Sequence, residues 1–205
     1  MIILIILIII IVYLFTILIS VNNKNYSKKK NIDCNYFKII TSNYIFAMIY
    51  LYIFLILFKS SIFNKKNINI TLEIGKIILY LILIDILFYF YHRIVHRTPC
   101  LKNLHSLHHE YYSIPSDAIY VSKYELLISI TLIFIPSLFL NLKFESFILV
   151  IGIYYLHQLY VHSESQIDIP LLISSKYHED HHKIGGGNYC VLFPFLDFLL
   201  DTKCI

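Results

Sequence analysis

Charge is what this sequence has least of. Lysine, arginine, aspartate and glutamate make up 15% of its 205 residues, too little for the surface of a soluble domain of that length. The net charge is +4, and the basic residues flank apolar runs instead of forming a basic surface of their own. That excludes nucleic acid as a partner and points to a face toward anionic lipid. Cysteine is scarce too. Cys34, Cys100, Cys190 and Cys204 are scattered, with no CxxC pair, which argues against a zinc finger. Free thiols are expected, with Cys100, Cys190 and Cys204 on a reducing side. No GxGxxG segment occurs, which argues against a built-in flavin or nicotinamide domain and for electrons from outside.

What is there is hydrophobic. Apolar residues make up 58% and mean hydropathy is +0.70, the composition of an integral membrane protein. The expected class is all-α: about four multi-pass membrane helices, or fewer with a re-entrant hairpin, carrying a cytoplasm-facing cap rich in histidine. Residues 1–73 read as N-terminal membrane helices and loops, and residues 74–205 as the chemical domain. Met1 to Val21 spans a bilayer by length and lacks the basic start and small-residue cleavage site of a signal peptide, so it reads as a retained anchor. Ile39 to Phe58 and Ile74 to Tyr91 are further spans. Leu126 to Leu140 and Phe147 to Leu159 are short for full crossings and suit a tilted or re-entrant hairpin turning at Asn141 to Ser146. Lys24, Lys28, Lys29 and Lys30 make the first loop cytoplasmic by the positive-inside rule, although Lys59, Lys65 and Lys66 compete in the next. Gly185, Gly186 and Gly187 read as a flexible turn.

All ten histidines fall in two windows. His92, His96, His105, His108 and His109 occupy one; His157, His162, His178, His181 and His182 occupy the other. His92 and His96 stand four apart, on one helical face. His105, His108 and His109 follow an i, i+3, i+4 spacing, and His178, His181 and His182 repeat it. Neutral imidazole is the commonest nitrogen ligand for zinc, iron and copper, and isolated core or surface histidines do not share such spacing. The set reads as a metal cage with enough ligands for two ions, more per ion than a closed tetrahedral zinc site needs. An all-nitrogen site fits a redox iron pair better than structural zinc, but ligand type alone does not decide the metal. The windows can meet only if an even number of crossings separates them.

Asp85 precedes His92 by seven residues, on the same helical face, and a carboxylate at that depth needs a partner. It reads as a group that takes the second ring N–H of a ligand histidine, against a packing role beside an arginine or tyrosine. Glu125, Glu164, Glu179 and Asp180 read equally as ligand-orienting groups or solvated surface. Arg93 and Arg97 read as headgroup-facing anchors. The aromatic stretches 88–91 and 154–160 read as interface packing, and would also suit a greasy tunnel leading to the metals.

The blocks HRIVH, HSLHHE, HS and YHEDHH, followed by GNY and by D and T, resemble the fatty acid hydroxylase superfamily of membrane di-iron oxygenases. That superfamily includes sterol methyl oxidases, sterol desaturases and sphingoid-base hydroxylases. The likeness runs from Asp85 to Thr202. DILFYFYHRIVH resembles the approach to the first histidine box, HHEYYSIPSDAIYVSKYE the second box and its sequel, and HHKIGGGNYCVLFPFLDFLLDT the closing block. Two positions depart from the pattern: Ser122 and Lys123 stand where a histidine–proline pair is frequent, and Asp201 where a glycine closes the motif.

The resemblance implies that His92, His96, His105, His108, His109, His162, His178, His181 and His182 bind two irons. His157 joins the candidate ligands, five residues before His162 where some members space the pair by four. It also implies an O2-dependent oxidoreductase that hydroxylates, desaturates or oxidises a lipid such as a sterol, fatty acyl chain or sphingoid base. Electrons would come from a membrane cytochrome b5 and its reductase. The implied setting is lipid metabolism, sterol biosynthesis included, in the endoplasmic reticulum or an equivalent host endomembrane, with the site on the cytoplasmic side. Two other readings of the cage stay open: a zinc-dependent membrane hydrolase or isomerase, and a non-catalytic membrane protein stapled by a structural metal.

Overall fold

The computed structural model describes residues 2–23, 34–62 and 69–204. Lys24, Lys28, Lys29, Lys30, Lys65 and Lys66 lie outside these, as does the side chain of Lys59. Nine α-helices and two 3-10 turns are found among the described residues, with no strand. They are α1 (Ile2–Val21), α2 (Cys34–Ile62), α3 (Ile70–Arg97), α4 (Pro99–His105), α5 (Lys123–Phe134), α6 (Ser137–Leu140), α7 (Phe144–Val161), α8 (Ser175–Ile184) and α9 (Phe195–Leu199). The 3-10 turns are His108–Glu110 and Pro115–Ile119.

Among the described residues, three stretches are long and apolar enough to cross a membrane: Cys34–Phe58, Lys123–Leu140 and Phe144–Val161. The last two are longer than the sequence suggests, because their ends are polar. Lys123 and Glu125 open one, and Glu145 and Ser146 open the other. Pro136 divides α5 from α6 by a two-residue turn but does not end the stretch. Ile135 still donates to Thr131, and Leu140 to the carbonyl of Pro136, so the proline kinks a continuing helix. The turn between the two stretches is only residues 141–143. Asn141 sits there at φ 46°, a conformation that Asn tolerates better than most residues. The foot of α3 ties the turn down: Lys143 N–H donates to Glu73 at 2.7 Å and Lys76 donates to the Asn141 carbonyl at 2.9 Å.

Helices α2, α3, α5 and α7 pack around Tyr80, Ile84, Phe88, Phe134, Phe147 and Val150. Their other faces expose Ile45, Ile49, Ile53, Ile56, Leu149, Ile153 and Leu156, the apolar rim that a bilayer would cover. All four cysteines are free.

Above this bundle the chain turns sharply, and local chemistry sets each turn. Thr98 precedes Pro99, so it leaves the helical region (φ −106°, ψ 109°) and ends α3 while Pro99 starts α4. Ser122 and Ser174 cap α5 and α8 by accepting from Glu125 N–H and Tyr177 N–H. Gly185 closes α8 at φ 65°, the left-handed position that favours glycine.

The segment 187–193 is anchored by two buried carboxylates. Asp85 accepts from the backbone N–H groups of Val191, Leu192 and Phe193 at 3.0, 2.9 and 3.2 Å. Asp197 accepts from Tyr189 N–H at 2.9 Å and Cys190 N–H at 2.8 Å, and from the hydroxyls of Tyr177 and Thr202 at 2.9 and 2.7 Å. Asp85→Ala would leave three buried N–H donors without an acceptor, a cost of about 3 kcal/mol or more. Thermal unfolding of the detergent-solubilised chain should show a transition several degrees lower, with Asp85→Asn in between. An unchanged transition would mean that the segment does not depend on this carboxylate.

Candidate metal centre

Five elements bring nine histidines together. Helix α3 ends with His92 and His96, one turn apart. His105 closes α4, and His108 and His109 begin the 3-10 turn that follows. His162 caps the end of α7, and α8 carries His178, His181 and His182. They form two groups. His92, His96, His105, His109 and His181 make the first; His108, His162, His178 and His182 make the second, and within each group the ligand atoms lie within 4.8 Å of one another. The two windows therefore share one face of the molecule, as an even number of crossings requires.

Each HxxHH motif is divided between the groups. His105 and His109 go to the first and His108 to the second; His178 and His182 go to the second and His181 to the first. The i and i+4 positions of a helix diverge by only about 40°, whereas i+3 and i+4 diverge by about 100°. The middle histidine of each motif thus faces the neighbouring group, and the two motifs exchange one ligand each. The spacing alone reads as a single face.

The protonation pattern follows from the partners. A carbonyl oxygen only accepts, so a ring nitrogen bonded to one carries the hydrogen. His92 Nδ1–H donates to the Tyr189 carbonyl at 2.9 Å, His181 Nδ1–H to the Gly187 carbonyl at 2.7 Å and His162 Nδ1–H to the Gln158 carbonyl at 2.8 Å. His105 Nδ1 pairs with the Glu125 carboxyl group. Burial, reinforced by neighbouring imidazoles, holds these rings neutral. It pulls His92 down to about 3 and His96 to about 4, and holds His108, His178, His181 and His182 well below the usual histidine range. A neutral ring with its hydrogen on Nδ1 presents a bare lone pair at Nε2.

The Nε2 atoms converge. His92 Nε2 lies 3.0 Å from His105 Nε2, and His178 Nε2 lies 3.2 Å from His162 Nε2 and 3.1 Å from His182 Nε2. His92, its hydrogen committed at Nδ1, has only a lone pair to offer at Nε2. Metal–nitrogen bonds of about 2.0–2.1 Å place neighbouring ligand nitrogens about 3.0 Å apart at right angles. The donor set therefore fits a bound cation in each group.

An apolar cavity of about 580 Å³ leads to both groups. His92 and His105 of the first line its inner end, with His108, His162 and His178 of the second. Phe88, Tyr154 and Tyr155 line its walls, and it follows α7 from Phe144 to the end of the helix. The aromatic stretches read from the sequence thus contribute to a tunnel as well as to packing. Helices α1 and α2 complete it with Val12, Tyr44, Ala47, Met48 and Leu51.

Residues 77–202 match the domain family described as fatty acid hydroxylase. The chain belongs to this family. Among curated proteins it is similar to a very-long-chain aldehyde decarbonylase of Oryza sativa subsp. indica, 28% identical over 64% of this chain and 53% of the relative. It is also similar to a methylsterol monooxygenase of Aspergillus fumigatus, 29% identical over 62% and 47%, and to one of Arabidopsis thaliana, 29% identical over 62% and 52%. The chain spans about half the length of these relatives. No solved structure matches it.

Within this fatty acid hydroxylase domain, His157 stands outside both groups. Five residues before His162, it projects about 140° away around α7, and it is buried with neither ring nitrogen hydrogen-bonded. Asp85 touches the segment behind the histidines, not a ring; the carboxylate on a ring is Glu125. Glu179 and Asp180 pair with Lys183 and Lys176 on the outer face of α8. Arg93 and Arg97 donate to the hydroxyls of Tyr89 and Tyr189 at 3.0 and 3.4 Å. Asp197 and Gly187 escape a reading based on histidine spacing. A Cβ on Gly187 would sit 2.4 Å from the Thr202 carbonyl and 2.5 Å from Cys204 Sγ, so only glycine lets its own carbonyl reach His181. The signals were an aspartate inside the apolar run FPFLDFLL and a third glycine beyond what a helix end needs.

The groups differ in outer support. His92, His105 and His181 of the first have partnered Nδ1 atoms, whereas Nδ1 of His108, His178 and His182 is buried without a partner. Outer partners are worth about 10–100-fold in metal affinity. Dialysis of the metal-loaded protein against increasing chelator should remove one equivalent from the second group first, and Glu125→Gln should narrow the gap. Simultaneous loss of both equivalents would contradict the asymmetry.

Proposed function

We propose that this chain is a membrane oxygenase that uses two iron ions and O2 to oxidise an unactivated C–H bond of a lipid. The observation that carries the reading is the apolar cavity that runs along the membrane helix α7 and ends on imidazoles of both histidine groups. Its volume lies within the range of small-molecule sites, and its walls suit an alkyl chain or ring system.

His92, His96, His105, His109 and His181 would hold one iron, and His108, His162, His178 and His182 the other. Nine imidazoles exceed what two catalytic zinc sites of three protein ligands each require, which favours iron over the hydrolytic reading. The chemistry such a pair supplies when bound is reduction of O2 and removal of hydrogen from carbon. The protein's part is positioning. Nδ1 bonds to Tyr189, Gly187, Gln158 and Glu125 fix the ring planes. Phe88, Ile130, Ile133 and Tyr154 exclude water and align the lipid. The electron donor would be a membrane cytochrome b5 with its reductase, since no nucleotide-binding fingerprint is present.

Three contacts support a cytoplasmic site. Ser20 accepts from Ser116 N–H, Asn23 donates to the Ser163 carbonyl, and Tyr36 donates to Asp117. The end of α1 and the start of α2 both lie beside the histidine cap, which agrees with the positive-inside reading of the sequence between them as cytoplasmic and with an endoplasmic reticulum oxygenase.

Expression in cells followed by lipid profiling tests the reading. A new oxygenated or desaturated lipid should accompany the wild type and fall to background in His108→Ala, a larger loss than the about 10–100-fold cost of an outer partner. The purified protein should contain about two irons per chain and consume O2 with its lipid. Zinc in place of iron, with turnover that needs no O2, would replace the oxygenase reading with the hydrolytic one.

A further inference from the structure

A glycine inside a helix costs stability relative to alanine, so a reason for it is sought in the backbone or in packing. Gly152 stands near the middle of α7, and neither reason applies. Its backbone is not left-handed. A Cβ built on it would meet nothing within 4 Å among the described residues, so no neighbouring helix presses against it. Gly187 is the opposite case, a glycine whose Cβ would collide. What lies in front of Gly152 is the cavity, which it lines.

Hydrogen bonds fix what stands at the same depth. The Tyr155 hydroxyl, three residues further along α7, meets the hydroxyls of Tyr44 on α2 and Thr16 on α1, the latter at 2.8 Å. Helices α1 and α7 run toward the histidine cap, and α2 runs away from it. Val12, four residues before Thr16, and Ala47, three residues after Tyr44, therefore lie with Gly152 about one turn below this polar collar. All three line the cavity. Three helices thus tie themselves together with hydroxyls and, one turn further from the cap, face the cavity with small side chains or none. Gly152 precedes His162 by ten residues, about 15 Å along the helix.

We propose that Gly152 sets the bore of the cavity. The space that a side chain would fill there is left for the hydrocarbon of the substrate, and the residue at 152 decides whether a lipid extends past the collar toward Phe144. This rests on the cavity being the substrate site, and it narrows the substrate to lipids whose hydrocarbon reaches about 15 Å or more from the histidine end. Gly152 is a specificity residue that touches hydrocarbon and takes no part in the chemistry. Its cost to the helix is then a cost borne for the ligand.

Equilibrium binding of radiolabelled n-hexadecane to the full-length protein in lipid nanodiscs, less the uptake of empty nanodiscs, tests the site without turnover. Gly152→Ala should weaken binding about fourfold, the worth of one displaced methylene, and Gly152→Leu about tenfold or more. Gly75 supplies the control. It too is a helical glycine whose Cβ would meet nothing within 4 Å, but it does not line the cavity, so Gly75→Leu should bind as the wild type does. The thermal transition of the ligand-free protein should not fall in Gly152→Ala or Gly152→Leu, because a side chain there finds room and favours the helix; a packing glycine would give the reverse. Absence of saturable binding by the wild type, equal binding by wild type and Gly152→Leu, an equal loss in Gly75→Leu, or a lowered transition in Gly152→Ala would overturn the proposal. If Gly152→Leu fails to fold, the alanine variant decides. Binding that depends on residue 152 in a protein that never consumes O2 would defeat the oxygenase reading alone. O2-dependent lipid turnover with hexadecane binding indifferent to residue 152 would defeat this inference alone.

Discussion

Imidazole nitrogens converging to 3.0–3.2 Å in a buried pocket are the constraint on which the structure depends. Burial removes the water that would otherwise satisfy them. Protonation does not help, since burial and then the neighbouring rings penalise each added charge. A cation would satisfy every group at once, which supports reading the arrangement as a metal centre. Much of the cap serves to hold that otherwise unfavourable convergence in place. The outward Nδ1–H bonds decide which nitrogen faces inward, and the carbonyls that receive them must be fixed in turn.

That second requirement explains the buried carboxylates. Asp85 rises from the membrane bundle and Asp197 from α9, and between them they accept five backbone N–H groups of residues 189–193. The segment so anchored carries the Tyr189 carbonyl, with the Gly187 carbonyl just before it, and these orient His92 and His181. A carboxylate in an apolar region is costly unless its lone pairs are filled; here backbone donors fill them. The chain of dependence runs from helix α3 through a carboxylate to a loop, from the loop to an imidazole, and from the imidazole to the metal position.

The sequence shows the candidate histidines more clearly than it shows their arrangement. Nine histidines were legible because helical spacing marks side chains that share a direction, and the family likeness followed from the order of the blocks. The all-α class was legible from long apolar runs. The division of each HxxHH motif between two groups was not, because spacing reports a face of one helix and says nothing of what lies opposite. Asp85 looked like a partner for a ring because it shares His92's face, yet the last segment of the chain reaches it first. Glu125 could be read as surface until α5 was seen packed with it facing His105. His157 carries the right residue type with the wrong phase, and only the helix it belongs to separates it from His162. The extent of the helices at 123–140 and 144–161 was underestimated because polar first turns resemble loops when read in one dimension.

The division of labour between bundle and cap also bears on selectivity. An apolar tunnel lined by Phe88, Ile130, Phe134 and Tyr154 gives every methylene much the same surroundings, so it cannot by itself choose one carbon over the next. Position along such a tunnel is set by its ends: by how far the hydrocarbon can slide, and by any polar group that stops it. The closed, hydrogen-bonded histidine end is the rigid one, since its rings are tied to loop, helix and carboxylate. The α1 and α2 walls, by contrast, contribute mainly shape, through Val12, Ala47, Met48 and Leu51. Two proteins could therefore share the whole metal centre and differ in substrate through a few side chains on the first two helices. Within a family whose relatives include an aldehyde decarbonylase and methylsterol monooxygenases, differences of that kind would fall outside the histidine motifs, where the motifs alone could not reveal them.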